Sequence, residues 1–112
     1  MAETRRITRP LLDVLEVLVA GFQQGQDPHG WTIMKATKRS GPTVYGIVER
    51  LEEWGWITGT WEELPAGESR PRRRYYRLTP TGRVEATALL AQRRPDSAGG
   101  SAIRRFIPGG AS

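Results

Sequence analysis

The spacing of apolar residues predicts three helices in the first part of the chain. The first helix is defined by apolar residues at three- and four-residue intervals, namely Leu11, Val14, Leu15, Leu18 and Phe22. Thr8 is placed to cap this helix and Gly25 to end it. A short second helix is predicted over residues 29–37, and a third begins at Pro42 and stops near Gly55.

Two strands and a fourth helix are predicted next. Residues 56–63 are aromatic and β-branched, residues 64–70 hold the Pro and Gly of a loop, and residues 73–79 return as a strand. Thr79 then caps a helix that ends before Pro95. This order predicts an α+β fold, mostly α: a winged helix-turn-helix with a two-stranded β wing and a C-terminal helix, an arrangement that binds DNA.

The chain length allows one domain with one modest core. We predict a winged-helix DNA-binding domain over residues 1–94, with the C-terminal helix serving dimerisation, and a flexible tail over residues 95–112. The tail is rich in Gly, Ser and Pro, a composition that buries little apolar surface. Ile103, Phe106 and Ile107 are its exceptions. They leave two hypotheses open, an idle end or a segment that docks on a partner.

Basic charge predominates, with a formal net charge of +5 and a pI near 10.4. Acids cluster in residues 49–63, whereas arginines gather near both ends of the chain and in residues 70–77. Such basic arms and turns suit a polyanion. A membrane partner is not expected, because residues 11–22 carry only Asp13 and Glu16 as charges and no apolar run approaches the ~18 residues of a spanning helix. The chain has no cysteine, so a reducing compartment is permitted and we expect a cytoplasmic location.

Two segments together resemble the DNA-binding domain of the PadR family of bacterial transcriptional regulators. They are residues 29–57, HGWTIMKATKRSGPTVYGIVERLEEWGWI, and residues 72–83, RRRYYRLTPTGR. The resemblance covers about residues 11–91, and its order and spacing are more specific than any one motif. It implies a dimeric repressor that contacts double-stranded DNA through helix 3 and a basic wing.

Candidate DNA contacts lie around the start of the third helix. They are Lys35, Lys38, Arg39, Ser40, Thr43 and Tyr45. The lysines and Arg39 suit phosphates, whereas Thr43 and Tyr45 are placed to reach base edges. Two alternatives stay open: Thr43 only supports the helix start, or Tyr45 is half-buried against the second helix.

The predicted wing supplies the other candidates, Arg70, Arg72, Arg73 and Arg74. These arginines flank a loop tip that faces solvent, so they can enter a minor groove or contact its phosphates. Four like charges repel one another unless a polyanion offsets them, which favours DNA over mere solvation.

Apolar residues beyond the needs of one small core predict a homodimer. They are Leu12 and Val19 on the first helix and Val84, Ala88, Leu89 and Ala91 on the fourth. A two-fold axis would place two half-sites about one helical turn apart, hence an inverted repeat. The alternative is a winged-helix adaptor that binds a protein partner through its C-terminal tail.

Enzymatic function is not expected. His29 is the only histidine, and without cysteine or a Gly-rich phosphate loop the chain offers it few partners for catalysis or metal binding. We expect no metal and no cofactor. The four tryptophans are expected to pack in the core and strands, with an aromatic-lined cavity for a small aromatic ligand at the dimer interface as the alternative.

Overall fold

The computed structural model describes residues 6–95 and contains four helices and one hairpin within them. The elements are α1 (Arg9–Gln24), α2 (Gly30–Thr37), α3 (Gly41–Glu53), β1 (Ile57–Trp61), β2 (Arg74–Leu78) and α4 (Pro80–Arg93). The predicted fold class, mostly α with a two-stranded wing and a C-terminal helix, is confirmed. The predicted tail lies outside the described residues apart from Pro95, and its role stays a prediction.

Local side-chain chemistry sets the helix ends. The Thr8 hydroxyl accepts a hydrogen bond from the Leu11 amide at 3.3 Å, and Gly25 ends α1 in the left-handed conformation with φ 70°. The Thr79 hydroxyl caps α4 by accepting from the Gly82 amide at 2.9 Å. These caps satisfy backbone groups that have no partner inside the helix.

The core is centred on α1, which contacts every other helix and β2. Its largest fully buried side chains include Leu11, Leu15 and Leu18, joined by Ile33 from α2 and Leu51 from α3. Burial of such side chains stabilises the fold by about 1.5–3 kcal/mol each.

Leu12 also lies in this core, at only 7% exposed. The expectation that Leu12 faces outward is therefore wrong. The reason is that α1 is covered by the other elements on more sides than a single amphipathic stripe requires.

The hairpin pairs its strands antiparallel, with Ile57 opposite Leu78 and Trp61 opposite Arg74. Tyr76 and Leu78 share the buried face, because alternate residues of a strand point to the same side. The wing is also tied to the start of α2, because the Tyr76 amide donates to the Pro28 carbonyl oxygen at 2.9 Å. This bond fixes the position of the wing beside α2 and α3.

The buried stripe of α4 consists of Gly82, Ala86 and Leu90. Gly82 is required for close packing, since a Cβ there would collide with the Trp56 carbonyl group. Val84, by contrast, is 68% exposed. The helix thus leaves an apolar face outside the core of the described chain.

Candidate nucleic-acid interface

The start of α3 is organised by two hydroxyl side chains. Ser40 caps the helix by accepting from the Thr43 amide at 3.4 Å, and its hydroxyl donates to the Thr43 Oγ1 at 3.1 Å. Thr43 therefore supports the helix start, and it keeps part of its surface exposed. Backbone amides at this end of the helix also favour a nearby anion.

Tyr45 extends from α3 across the first residue of α2. A Cβ at Gly30 would collide with the Tyr45 phenol ring, so the ring lies directly over the glycine backbone. Its side chain nevertheless stays 46% exposed. Tyr45 thus packs against α2, as one of the two open alternatives proposed, and still presents its other surface to solvent.

The three cations before α3 differ in their surroundings. Lys35 and Lys38 are exposed, and the Lys35 Nζ lies 4.7 Å from the centre of the Trp31 ring. Arg39 is held by Asp13 of α1, with 2.8 Å from NH2 and 3.1 Å from Nε to Oδ2. Arg39 therefore has a carboxylate partner already, whereas the two lysines are left exposed.

Glu62 organises the wing beyond β1. Its two carboxylate oxygens accept from the Arg70 guanidinium at 2.9 and 2.7 Å, and one also accepts from the Arg73 amide at 3.1 Å. Arg70 lies 3.3 Å from Glu68 as well. The Arg70 hydrogen bonds lower the pKa of Glu62 to about 2, and they raise the pKa of Arg70. The wing loop is therefore closed by an ion pair.

Arg74 is paired too, since its NH2 lies 2.8 Å from the Glu52 Oε2 of α3. In the described part of the chain no carboxylate pairs with Arg72 or Arg73, which are both exposed. The argument that all four wing arginines need a polyanion to offset their repulsion is wrong for Arg70 and Arg74. The repulsion argument still applies to Arg72 and Arg73.

A groove of about 790 Å³ lies between the wing and the α2–α3 pair. We call it the basic groove; it is lined by His29, Gly30, Trp31, Tyr45, Trp61, residues 70–74 and Tyr76. Trp31 and Trp61 are 57% and 56% exposed here. The expectation that the tryptophans pack in the core and strands is therefore wrong for Trp31, whereas Trp61 does lie in strand β1. Trp56 does lie in the core.

The His29 ring contacts the side chains of Thr32 and Tyr75. Its Nδ1 lies 2.8 Å from the Thr32 hydroxyl, and its ring centre lies 5.4 Å from that of Tyr75. Burial, followed by the positive charge of Arg73, lowers the pKa of His29.

Residues 6–95 contain no cluster of His, Cys, Asp or Glu that could hold a metal ion. Over the same residues, no helix combines the length and apolar character needed to cross a membrane.

A second groove, of about 660 Å³, lies between α1 and α4. We call it the apolar groove; the predicted dimerisation residues that line it are Val19, Val84, Ala88 and Ala91. Phe22 lies beside them, with Arg83 stacked 4.5 Å from its ring centre. Leu89 instead lines a separate depression, which Ala88 shares, and Leu12 lies in the core. Whether this face pairs two chains stays a prediction.

Sequence reasoning missed the role of Asp13. This α1 carboxylate accepts from Arg39 before α3 and lies 2.9 Å from Arg94 at the end of α4. The pairs join residues far apart in the chain, so no local spacing predicts them. The Glu62 pair had a detectable signal, because a hairpin places Glu62 beside the returning arginines.

The fold and this basic face define a winged helix-turn-helix DNA-binding protein. Residues 14–88 match the Transcriptional regulator PadR-like family, and the chain belongs to this family. It is therefore a DNA-binding transcriptional regulator, and its family is not one of enzymes. A search of curated protein sequences finds no significant match.

Solved structures that share this fold come from different organisms. The S. aureus MepR–DNA complex is 26% identical with a TM-score of 0.58, covering 80% of this chain and 70% of that one. AF1382 from Archaeoglobus fulgidus is 18% identical (TM-score 0.64), covering 80% and 90%. The circadian clock associated protein Pex from anabaena is 22% identical (TM-score 0.58), covering 78% and 77%. The last two likenesses concern the fold alone.

Proposed function

We propose that this chain is a dimeric repressor that binds an inverted repeat in double-stranded DNA through α3 and the wing. The observation that carries the proposal is the placement of Arg72 and Arg73. Their guanidinium groups are exposed and pair with no carboxylate among the described residues, and they share the basic groove with Tyr45 of α3. With α3 in a major groove, these two arginines lie where phosphates of the next minor groove pass.

In this proposal different side chains contact different parts of the DNA. Thr43 and Tyr45 contact base edges, Ser40 and the α3 amides approach a phosphate, and Lys35 and Lys38 grip the backbone. Arg70 and Arg74 act mainly by shaping the wing, because carboxylates already neutralise them. The solved complex of S. aureus MepR with DNA, a protein of similar fold, supports this use of the scaffold.

Dimerisation in the proposal uses the apolar groove. Val84 is 68% exposed, and such apolar surface is costly to leave in water. A second copy packing there about a two-fold axis presents two α3 helices, which requires an inverted repeat. A dimer that covers such a site excludes other proteins from it, and we therefore expect repression.

Selection of bound fragments from a random duplex pool at two salt concentrations tests DNA binding, specificity and site symmetry together. We expect an enriched inverted repeat and weaker binding at the higher salt. Sedimentation of the chain with and without the selected duplex tests the dimer. An enriched site without two-fold symmetry, bound by a single chain, would contradict the dimer and keep the DNA-binding role.

A further inference from the structure

Three aromatic side chains are exposed within the basic groove. Trp31, Tyr45 and Trp61 keep 57%, 46% and 56% of their surface in solvent. Phosphates of a duplex are gripped by cations and hydrogen-bond donors and do not require aromatic rings. Large exposed rings instead offer flat surfaces for stacking another ring. Duplex binding therefore leaves the two tryptophans unexplained.

Cations alternate with these rings. The Lys35 Nζ lies 4.7 Å from the Trp31 ring centre, and the Arg74 guanidinium lies 5.2 Å from that of Trp61. Both rings remain more than half exposed beside their cations. A basic groove with aromatic platforms is the arrangement by which proteins hold unpaired strands, because each nucleotide brings one flat base and one phosphate.

The groove is held in shape before any ligand binds. The bond from Tyr76 to Pro28 ties the wing to the start of α2, and the Arg74–Glu52 ion pair ties it to α3. A Cβ at Gly59 would collide with the Arg74 side chain, so the glycine lets Arg74 lie across β1 toward Trp61. A preformed groove lowers the cost of ordering a bound strand.

We propose that the basic groove binds single-stranded DNA, with unpaired bases stacked on Trp31 and Trp61 and phosphates on Arg72 and Arg73. Charge complementarity selects a strand over a neutral aromatic molecule, since these two arginines have no carboxylate partner among residues 6–95. The inference goes beyond duplex binding because it rests on the two tryptophans. Arg72 and Arg73 contact phosphates in both single-stranded and duplex DNA.

Fluorescence anisotropy of the full chain with a labelled thymidine oligonucleotide of about 12 nucleotides tests the proposal. Thymidine runs do not pair with themselves, and a mixed-sequence duplex of the same length provides the second arm. We expect Trp31→Ala and Trp61→Ala each to weaken single-strand binding at least about fivefold. Duplex binding by these variants should stay within about twofold of the unsubstituted chain.

Two further variants separate stacking from folding. Trp61→Phe keeps a ring and should retain most of the single-strand affinity, whereas a merely structural role would show in its thermal midpoint. Thr60→Ala changes the opposite face of the same strand and should leave both affinities unchanged.

Three outcomes would overturn the inference, and two of them come from the titrations: an oligonucleotide that does not bind, or equal losses on both DNA forms in Trp61→Ala. Thymidine monophosphate competing as well as the oligonucleotide would also overturn it, since the groove would then be a small-ligand site. If the duplex binds and the strand does not, the proposed duplex binding through the basic groove stands without this inference. If the strand binds and neither the mixed-sequence duplex nor the selected duplex binds, the proposed duplex binding through the basic groove fails and this inference stands.

Discussion

The two grooves have similar sizes and opposite surroundings. The basic groove, about 790 Å³, combines exposed rings with a run of arginines. The apolar groove, about 660 Å³, combines Val84, Ala88 and Ala91 with Phe22 and the single cation Arg83. Exposed apolar surface alone therefore does not identify a partner. The charge around it does, favouring a polyanion on one side and a second copy on the other.

The two grooves also differ in what holds them together. Surface ion pairs such as Arg70–Glu62 and Arg77–Asp27 surround the wing, and each contributes little to stability because solvent screens it. Helix α4, which forms one wall of the apolar groove, packs backbone to backbone against Trp56 through Gly82. Substitutions under α4 should therefore change stability, whereas substitutions in the basic groove should change binding.

Gly82→Ala has the largest expected effect. The added methyl group would overlap the Trp56 carbonyl, which is backbone and cannot rotate away. Overpacking of this kind should lower the free energy of unfolding by about 3 kcal/mol. Urea denaturation followed by circular dichroism measures it.

Gly46→Ala is the matched control for that experiment. Gly46 lies inside α3 with open space around it, so the same change should raise the free energy of unfolding by about 0.5–1 kcal/mol. Equal stability of the two variants would show that α4 can shift without cost, and that the apolar groove is not rigidly built.

Arg72→Ala with Arg73→Ala has the next largest effect, on duplex DNA. If each arginine neutralises one phosphate, the log–log salt slope falls by about 1.8 and affinity drops roughly 30-fold at 0.15 M salt. Titration at several salt concentrations measures both quantities.

Arg9→Ala with Arg93→Ala removes the same charge from α1 and α4 and serves as the control. We expect it to change the salt slope much less, because both arginines are exposed and lie outside the basic groove and the apolar groove. Equal slopes for the two double variants would mean that net charge, and not the groove, attracts DNA.

Thr43→Ala should cost about 1 kcal/mol at one base pair of the selected site and little on random DNA. Helix α3 should stay intact, because Ser40 supplies the cap. Ser40→Ala is the contrasting variant, expected to lower stability by about 1 kcal/mol through loss of that cap. Competition between selected and random duplexes distinguishes them. Equal losses on both duplexes would leave Thr43 with a supporting role only.

The fold was predictable from the sequence because its signals are local. Caps such as Thr8 and Thr79 and the apolar spacing of α1 and α3 act within a few residues. The site was predictable only in part. Pairing of Arg39 with Asp13 spans 26 residues, and the exposure of Trp31 depends on how α2 meets the wing. Neither the Arg39–Asp13 pair nor the exposure of Trp31 can be predicted from the spacing of nearby residues.

The pH dependence of the wing is the smallest expected effect. Hydrogen bonds from Arg70 hold the pKa of Glu62 at about 2, against 4.5 for an ordinary glutamate. The folded state thus favours the charged carboxylate. Its contribution to stability is complete above about pH 4.5 and is lost as the pH falls toward 2. Solvent screens this surface pair, so the change should be small and should shrink further in 1 M salt.

Glu62→Gln removes this titration and also tests how the basic groove is held. Thermal midpoints of the variant should depend less on pH between 4.5 and 2 than those of the unsubstituted chain. Glu63→Gln is the control, since none of the described basic side chains pairs with Glu63.

At neutral pH, Glu62→Gln also removes the ion pair between Glu62 and Arg70 and adds one unbalanced positive charge to the wing. Duplex binding should therefore tighten slightly, with a salt slope steeper by up to about 0.9. Weaker binding would instead mean that the ordered wing loop matters more to DNA than the number of cations it offers.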